Sequence, residues 1–307
     1  MKLFLISLLL FILIVIAMYL LNVRTAFFYY YKNRGDVKIV KNIVYKDDSQ
    51  NYRHTLDIYL PKDTKNFPTA HFIHGGNWNS GNKNYYEWLT GLYANIGISL
   101  AKQGIGVVIQ NYRLYPEVGI DEEIADVRDG VIWTEKNIKE YGGGGAIFLA
   151  GHSAGGNIIA LIASLENNKL KAINMENIKG YIALSAVWDI PDMAKNTSNS
   201  FNKNTVQPIF GIKASEQEKY SPSRFLDNIH KPIFIAVGGK DYPYLKNQAL
   251  MAKNKLVELG KSVEYFVAPE YIHEAMVVRF GGSSDLLAPK IVEFIKSTYS
   301  FYLKYEK

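Results

Sequence analysis

Residues 146–156 read AIFLAGHSAGG, a short apolar run that leads into a glycine-rich turn around Ser153. An apolar run of this kind is typical of a strand buried on both faces, and the apolar stretch 157–165 that follows is typical of a helix. The pattern Gly-x-Ser-x-Gly between a strand and a helix predicts a sharp turn that presents the serine hydroxyl above the edge of a sheet. Glycines flank the serine because the backbone is crowded at such a turn. We therefore predict that Ser153 is a nucleophile; the alternative is a glycine-rich turn without a chemical role.

Similar apolar runs recur along the chain and alternate with helical patterns. The strand candidates are residues 43–45, 54–60, 70–73, 106–110, 146–150, 181–186, 233–237 and 263–268. Strand–helix alternation predicts an α/β fold, with one mostly parallel eight-stranded sheet and helices on both of its faces. Residues 189–230 show no clear strand and are rich in Asn, Ser, Lys and Pro. Because a stretch of that length inside a compact domain is usually functional, we predict that it forms a short lid insertion.

A serine hydroxyl needs a base that removes its proton. In a fold of this kind the three catalytic residues follow one another in the order Ser, Asp or Glu, His. The chain has six histidines, and only His273 follows the last strand candidate. We therefore predict that His273 is the base. The dipeptide His273-Glu274 also begins a zinc-protease pattern, but that pattern requires a second histidine where this chain has Val277, so zinc is excluded.

The acid should follow a strand that lies between Ser153 and His273 in the chain. The strand candidate 233–237 ends in Gly-Gly-Lys-Asp241, which predicts that Asp241 lies at the carboxyl edge of the sheet, where ligands gather. Asp189, which follows the strand candidate 181–186, is the alternative. An acid in this position would hold the histidine tautomer and stabilise the imidazolium ion.

A tetrahedral oxyanion needs backbone N–H donors aimed at it. The strand candidate 70–73 leads into His74-Gly75-Gly76-Asn77-Trp78, a loop of the type that accompanies a serine turn of this kind. We predict an oxyanion hole made by the N–H groups of Gly76, Asn77 and Ala154, with Gly75 supporting the turn. His74 is expected to brace the loop by hydrogen bonds. A plain glycine-rich turn is the alternative.

The N-terminal part of the chain has a different character. Residues 3–21 carry no charged side chain, and a helix of that length is about 28 Å long, close to the roughly 30 Å of a bilayer core. We predict an uncleaved transmembrane helix over a cleaved signal peptide, because Arg24 stands where a small residue should lie. The aromatic residues 27–31 are expected to form an interfacial belt. Residues 1–31 would then be a membrane anchor and residues 36–307 the catalytic domain, on a side of the membrane that the flanking charges leave undetermined.

Composition excludes several classes of protein. The chain has 307 residues and no cysteine, which excludes a disulfide scaffold, a cysteine nucleophile and thiolate metal sites. Its net charge of +6 is spread along the chain, so a nucleic-acid partner is not expected. No metal or organic cofactor is expected, and the oligomeric state is left open.

The motifs together resemble those of the α/β-hydrolase superfamily, in the esterase/lipase branch that includes hormone-sensitive-lipase-like carboxylesterases. The resemblance covers residues 40–303 and rests on Asp241, His273 and four sequence motifs: LDIYLP at 56–61, HGGNW at 74–78, NYRLYP at 111–116 and GHSAGG at 151–156. The Asn77-Trp78 pair departs from the hormone-sensitive-lipase pattern. It is similar to the kynurenine formamidase and prenylcysteine methylesterase side of the branch, and members of the latter group are membrane-bound.

The resemblance implies hydrolysis of small carboxylic esters through an acyl-enzyme. Our leading hypothesis is a membrane-anchored serine carboxylesterase with Ser153, Asp241 and His273 as its triad. An arylformamidase that uses the same triad on a small formamide is the alternative. A catalytically inactive binding module and a transacylase are further hypotheses.

Overall fold

The strands form a single mixed sheet in a computed structural model that describes residues 2–20, 23–47, 49–165 and 176–305. The strands are β1 Lys38–Val44, β2 Thr55–Leu60, β3 Phe67–Ile73, β4 Gly106–Gln110, β5 Gly143–His152, β6 Ile178–Leu184, β7 Ile233–Gly238 and β8 Val263–Ala268. Their order in the sheet is β1-β2-β4-β3-β5-β6-β7-β8. Strand β2 runs antiparallel to both of its neighbours, β1 and β4, and the other five strand pairs are parallel. The predicted eight-stranded, mostly parallel sheet is therefore confirmed.

Helices cover both faces of the sheet. The α-helices are α1 Lys2–Leu20, α2 Val23–Asn33, α3 Glu87–Thr90, α4 Ala94–Ala101, α5 Ile120–Asn137, α6 Ala154–Ser164, α7 Ile190–Asn196, α8 Asn199–Phe201, α9 Gln207–Phe210, α10 Ala214–Gln217, α11 Pro243–Glu258, α12 Ala275–Val278 and α13 Ala288–Tyr305. Short 3₁₀ turns lie at Arg34–Asp36, Ile138–Tyr141, Glu218–Tyr220, Pro222–Arg224 and Leu226–Asn228, and a π-helical turn lies at Asn202–Val206.

Two apolar layers, one on each face of the sheet, make up most of the core. On one face α5, α6 and α11 bury side chains such as Ile158 and Leu245. On the other face α4 and α13 bury side chains such as Ile98 and Phe294. The central strands are buried on both faces, which explains their continuous apolar sequences. Parallel strands also bring their carboxyl ends to one edge of the sheet, where polar loop residues gather.

The predicted lid insertion, residues 189–230, forms α7 to α10 and four short turns. It contains no strand, as its sequence indicates. Part of it joins the core, because Met193, Val206 and Phe210 are buried. Whether this segment moves as a lid stays a prediction.

Helix α2 packs against helices that lie beside the sheet. Ala26 is fully buried, and a Cβ atom at Gly91 would lie only 2.5 Å from the Ala26 carbonyl oxygen. The Tyr31 hydroxyl donates a hydrogen bond to the Trp88 carbonyl at 2.8 Å. The aromatic stretch 27–31 thus lies on a helix that contacts α3, α4 and α12.

No helix in the described part of the chain is long and apolar enough to cross a membrane. Leu21, the last residue of the predicted span, lies outside the described residues. By this criterion of length and hydropathy, the predicted transmembrane anchor and the membrane localisation are wrong.

Candidate active site

Ser153 lies at the sharp turn between β5 and α6. Its backbone has φ 56° and ψ −119°, a combination that L-residues rarely adopt. Its N–H group donates to the Leu184 carbonyl at 2.9 Å, which ties the turn to the neighbouring strand β6. The turn leaves no room for a side chain at the flanking glycines. A Cβ atom at Gly151 would lie 2.4 Å from the Gly155 carbonyl oxygen, and one at Gly155 would lie 2.3 Å from the Ile73 carbonyl oxygen.

His273 and Asp241 meet at the same edge of the sheet. Asp241 follows β7 and is buried, and His273 follows β8. The Nδ1 atom of His273 lies 3.0 Å from Oδ1 of Asp241 and 3.3 Å from its Oδ2. This contact engages Nδ1 of the ring, and His273 and Ser153 line the same cavity.

Two further donors hold the Asp241 carboxylate. The Ser185 hydroxyl donates to Oδ2 at 2.5 Å, and the Tyr242 N–H donates to Oδ1 at 2.7 Å. Burial by itself raises the pKa of Asp241, but the hydrogen bonds from His273, Ser185 and Tyr242 outweigh it and lower the pKa below its usual value. The carboxylate is therefore ionised and oriented toward the histidine at neutral pH.

Asp189, the alternative acid, has a structural role. It caps α7 by accepting a hydrogen bond from the Asp192 N–H at 2.9 Å, and it accepts another from the Ser223 hydroxyl at 3.0 Å. Arg224 lies 3.5 Å from its second oxygen. The structure thus brings Asp241, and not Asp189, to His273.

The loop after β3 faces the Ser153 turn. Gly76, Asn77 and Trp78 all have positive φ angles, of 132°, 54° and 60°. A Cβ atom at Gly75 would lie 3.1 Å from the Ser153 Cβ, so the absence of a side chain permits this close approach. In the described part of the chain, the N–H groups of Gly76, Asn77 and Ala154 have no hydrogen-bond acceptor.

Gly75 and His74 support this loop. The Gly75 N–H donates to the Tyr93 hydroxyl at 3.2 Å. The His74 ring stacks on Tyr112 with centroids 4.6 Å apart, and its Nδ1 lies 2.7 Å from the Gly75 carbonyl oxygen. Burial lowers the pKa of His74 to about 4, so the ring is neutral and its Nδ1–H donates this bond. Gly75 and His74 thus support the loop, and the predicted oxyanion donors are the N–H groups of Gly76, Asn77 and Ala154.

A cavity of about 310 Å³ opens over these groups. One side is polar and carries Ser153, His273 and the loop of Gly75, Gly76 and Asn77. The other side is apolar and is formed by Leu92, Tyr93, Val277 and Val278. The arrangement can place a small acyl compound between the Ser153 hydroxyl and a set of N–H donors. Among the residues that the structure describes, no cluster of three or more histidine and carboxylate side chains could hold a metal ion.

Sequence reasoning missed two residues of this site. Ser185 directly follows β6, so its position at the carboxyl edge of a strand was an available signal. His152 precedes the serine, and its Nε2 lies 3.1 Å from the His273 carbonyl oxygen. Burial and the neighbouring His273 lower the pKa of His152 to about 3, which keeps the ring neutral. No sequence signal distinguishes this residue from any other histidine.

Comparison with known proteins places the chain in a family. The family model described as BD-FAE matches residues 56–256. The chain is 27% identical over 292 residues to isoprenylcysteine alpha-carbonyl methylesterase of Arabidopsis thaliana, a match that covers 89% of this chain and 64% of the plant protein. It is 24% identical over 246 residues to kynurenine formamidase of Danio rerio, covering 78% of this chain and 77% of that one. The chain spans between 24% and 65% of the length of the plant methylesterases that it matches.

The solved structures support the fold. Inhibited esterase B from Lactobacillus rhamnosis superposes with a TM-score of 0.74 at 20% identity, covering 88% of this chain and 90% of that one. The BD-FAE match extends over more than half of the chain and includes the serine turn and Asp241. The chain therefore belongs to the BD-FAE family of esterase/lipase-type α/β-hydrolases.

Proposed function

We propose that this chain is a serine hydrolase that cleaves small carboxylic esters through an acyl-enzyme intermediate. The contact between the buried Asp241 and His273, which lines the same cavity as Ser153, carries the proposal. A histidine whose Nδ1 is bound to an ionised carboxylate has Nε2 available as a base for a nearby hydroxyl.

Each group has a chemical role in this reaction. The Ser153 Oγ attacks the carbonyl carbon while Nε2 of His273 takes its proton, and Asp241 stabilises the imidazolium ion that forms. The N–H groups of Gly76, Asn77 and Ala154 stabilise the oxyanion. His273 then returns the proton to the leaving alcohol. Water attacks the acyl-enzyme with the same histidine as base, which releases the acid and restores Ser153.

A fluorophosphonate probe followed by intact-mass measurement tests the nucleophile. We expect one adduct on the wild-type protein and none on Ser153→Ala, with kcat/KM for p-nitrophenyl acetate at least about a thousandfold lower in that variant. Ser80→Ala is the matched control, because Ser80 lines the same cavity, and it should keep the adduct. A folded wild-type protein that takes no adduct and hydrolyses no ester would contradict the proposal and favour an inactive binding module.

A formamide is the second candidate substrate. Kynurenine formamidase of Danio rerio is matched over 77% of its length, a larger share than that of the plant methylesterases. Ser153 would then attack the formyl carbon, and His273 would protonate the leaving aryl amine. Comparing kcat/KM for N-formylkynurenine with that for p-nitrophenyl acetate decides between an amide and an ester preference.

A further inference from the structure

A second cavity, of about 970 Å³, lies beside the cavity lined by Ser153 and His273, which we call the catalytic cavity. The two share Ser80, Gly81 and Tyr85 as lining residues. Tyr30 and Tyr31 at the end of α2 line the second cavity, which we call the α2 cleft. The two cavities therefore adjoin at these three shared residues.

The α2 cleft is lined by three cationic side chains, Arg34, Lys41 and Arg53, and by one acidic side chain, Glu87. Lys41 is already neutralised, because its Nζ lies 2.5 Å from Glu87 and 3.1 Å from the buried Asp57. Within the described residues, neither guanidinium group has a carboxylate partner. The cleft therefore holds two unneutralised positive charges.

Of the two arginines, Arg53 is the one that contacts a neighbour of the loop after β3, residues 74–78. It is half-buried, and its Nη1 donates to the Gly81 carbonyl at 3.2 Å. Gly81 in turn packs against that loop, since a Cβ atom there would lie 2.3 Å from the Gly75 carbonyl oxygen. A guanidinium group has five N–H donors in a planar fork that matches the two oxygens of a carboxylate. One carbonyl oxygen leaves most of these donors available to a ligand.

Arg34 adds positive charge at the wall formed by α2. Its guanidinium lies 4.9 Å from the ring centre of Tyr31 and 5.6 Å from that of Tyr30. The catalytic cavity, by contrast, has Glu274 as its one charged lining residue besides the histidines. Negative charge on a substrate is therefore repelled near Glu274 and attracted toward the α2 cleft.

We propose that the α2 cleft binds a carboxylate on the substrate, with Arg53 as the group that pairs with it. The inference rests on the proposed hydrolase function and adds a substrate class to it: small esters or formamides that carry a negatively charged carboxylate away from the bond that is cleaved.

Two matched pairs of esters test this proposal. p-Nitrophenyl hemisuccinate is compared with methyl p-nitrophenyl succinate, in which the free carboxylate is methylated. This pair varies the charge on the acyl side. 3-Acetoxybenzoate is compared with its methyl ester, which varies the charge on the alcohol side. We expect the wild-type protein to have a kcat/KM ratio of charged to neutral ester of about ten or more in at least one pair. Arg53→Gln should lower that ratio at least fivefold.

Two other variants make the test specific. Arg128→Gln removes the same charge at a residue that lines a different pocket and not the α2 cleft, so it should leave the ratio unchanged. Arg53→Lys keeps the charge but loses the planar fork, so its ratio should also fall, and it replaces the glutamine variant if that one does not fold. A wild-type ratio of one or less in both pairs, or an unchanged ratio in whichever Arg53 variant folds, overturns the proposal.

The same data separate this proposal from the function on which it rests. If the neutral esters are cleaved in a Ser153-dependent way without preference for charge, only the α2 cleft proposal fails. If no ester is cleaved and Ser153 takes no fluorophosphonate, the hydrolase proposal itself fails.

Discussion

Ser153 and Ser185 both have positive φ angles, of 56° and 45°, directly after the neighbouring strands β5 and β6. Non-glycine residues in such conformations cost of order 1–3 kcal/mol each and concentrate at functional sites. In the proposed reaction, Ser153 attacks the substrate and Ser185 orients the Asp241 carboxylate. The strain at these two residues is thus located where the proposed chemistry takes place.

Replacing Ser185 by alanine tests its positioning role. The variant loses the 2.5 Å hydrogen bond to Asp241, so we expect the pKa of that carboxyl to rise and kcat/KM for p-nitrophenyl acetate to fall about tenfold. The acid limb of the pH profile of kcat/KM should also move. Ser223→Ala is the matched control, because it removes a serine–aspartate hydrogen bond of 3.0 Å at Asp189. Equal losses of activity in the two variants would contradict the assignment of Asp241.

Helix α6 and strand β3 form the pair of elements that brings the proposed nucleophile to the proposed oxyanion loop. The approach is close because α6 begins with Ala154-Gly155-Gly156, whose first turn lies against the end of β3. A Cβ atom at Gly155 would lie 2.3 Å from the Ile73 carbonyl oxygen and 2.5 Å from that of His74. The contacts are with backbone atoms, so no rotation of a side chain can relieve them.

We predict that Gly155→Ala separates these two elements. A shift of about 1 Å at a catalytic group can lower the rate about a hundredfold, and we expect a loss of that order in kcat/KM together with a lower melting temperature. Gly35→Ala is the control, since a Cβ atom there would meet nothing within 4 Å. Steady-state kinetics and thermal unfolding measure both effects. Full activity in Gly155→Ala would show that the N–H groups of the loop after β3 do not act in the reaction.

At the scale of the whole molecule, three buried histidines couple folding to pH. Burial lowers the pKa of His71 and of His74 to about 4, and burial together with His273 lowers that of His152 to about 3. Unfolding returns each ring to a pKa near 6.5, so the unfolded chain binds more protons below that pH. Glu123 has the opposite effect. Burial raises its folded-state pKa to about 9, so between pH 4.5 and 9 the folded chain binds a proton here that the unfolded chain does not.

We therefore predict that the free energy of unfolding falls as the pH drops from 6.5 to 4.5. Three histidines opposed by one carboxyl group give a net uptake of roughly two protons on unfolding, or about 3 kcal/mol per pH unit. Urea unfolding at several pH values measures this slope. His71→Gln should reduce the slope by about one proton. A free energy of unfolding that does not vary over this pH range would contradict the prediction.

Local pattern determined most of the fold. Each strand candidate overlaps an observed strand, and those at 106–110 and 263–268 have the observed bounds. Strand–helix alternation is a property of neighbouring residues, so the sequence alone indicated the sheet. The order Ser, Asp, His likewise pointed to Asp241 and His273, because parallel strands bring their carboxyl ends to one edge whatever the loops do.

Tertiary structure alone decided the rest. The aromatic residues 27–31 were expected to form an interfacial belt, but composition carries no information on which surfaces a helix contacts, and α2 packs on α3, α4 and α12. The hydrogen bond from Ser185 to Asp241 and the contact of His152 with His273 join residues 56 and 121 positions apart. The α2 cleft is likewise assembled from segments distant in the chain. Such contacts depend on how whole elements pack, because side chains far apart in sequence are brought together only when the sheet and its helices are complete.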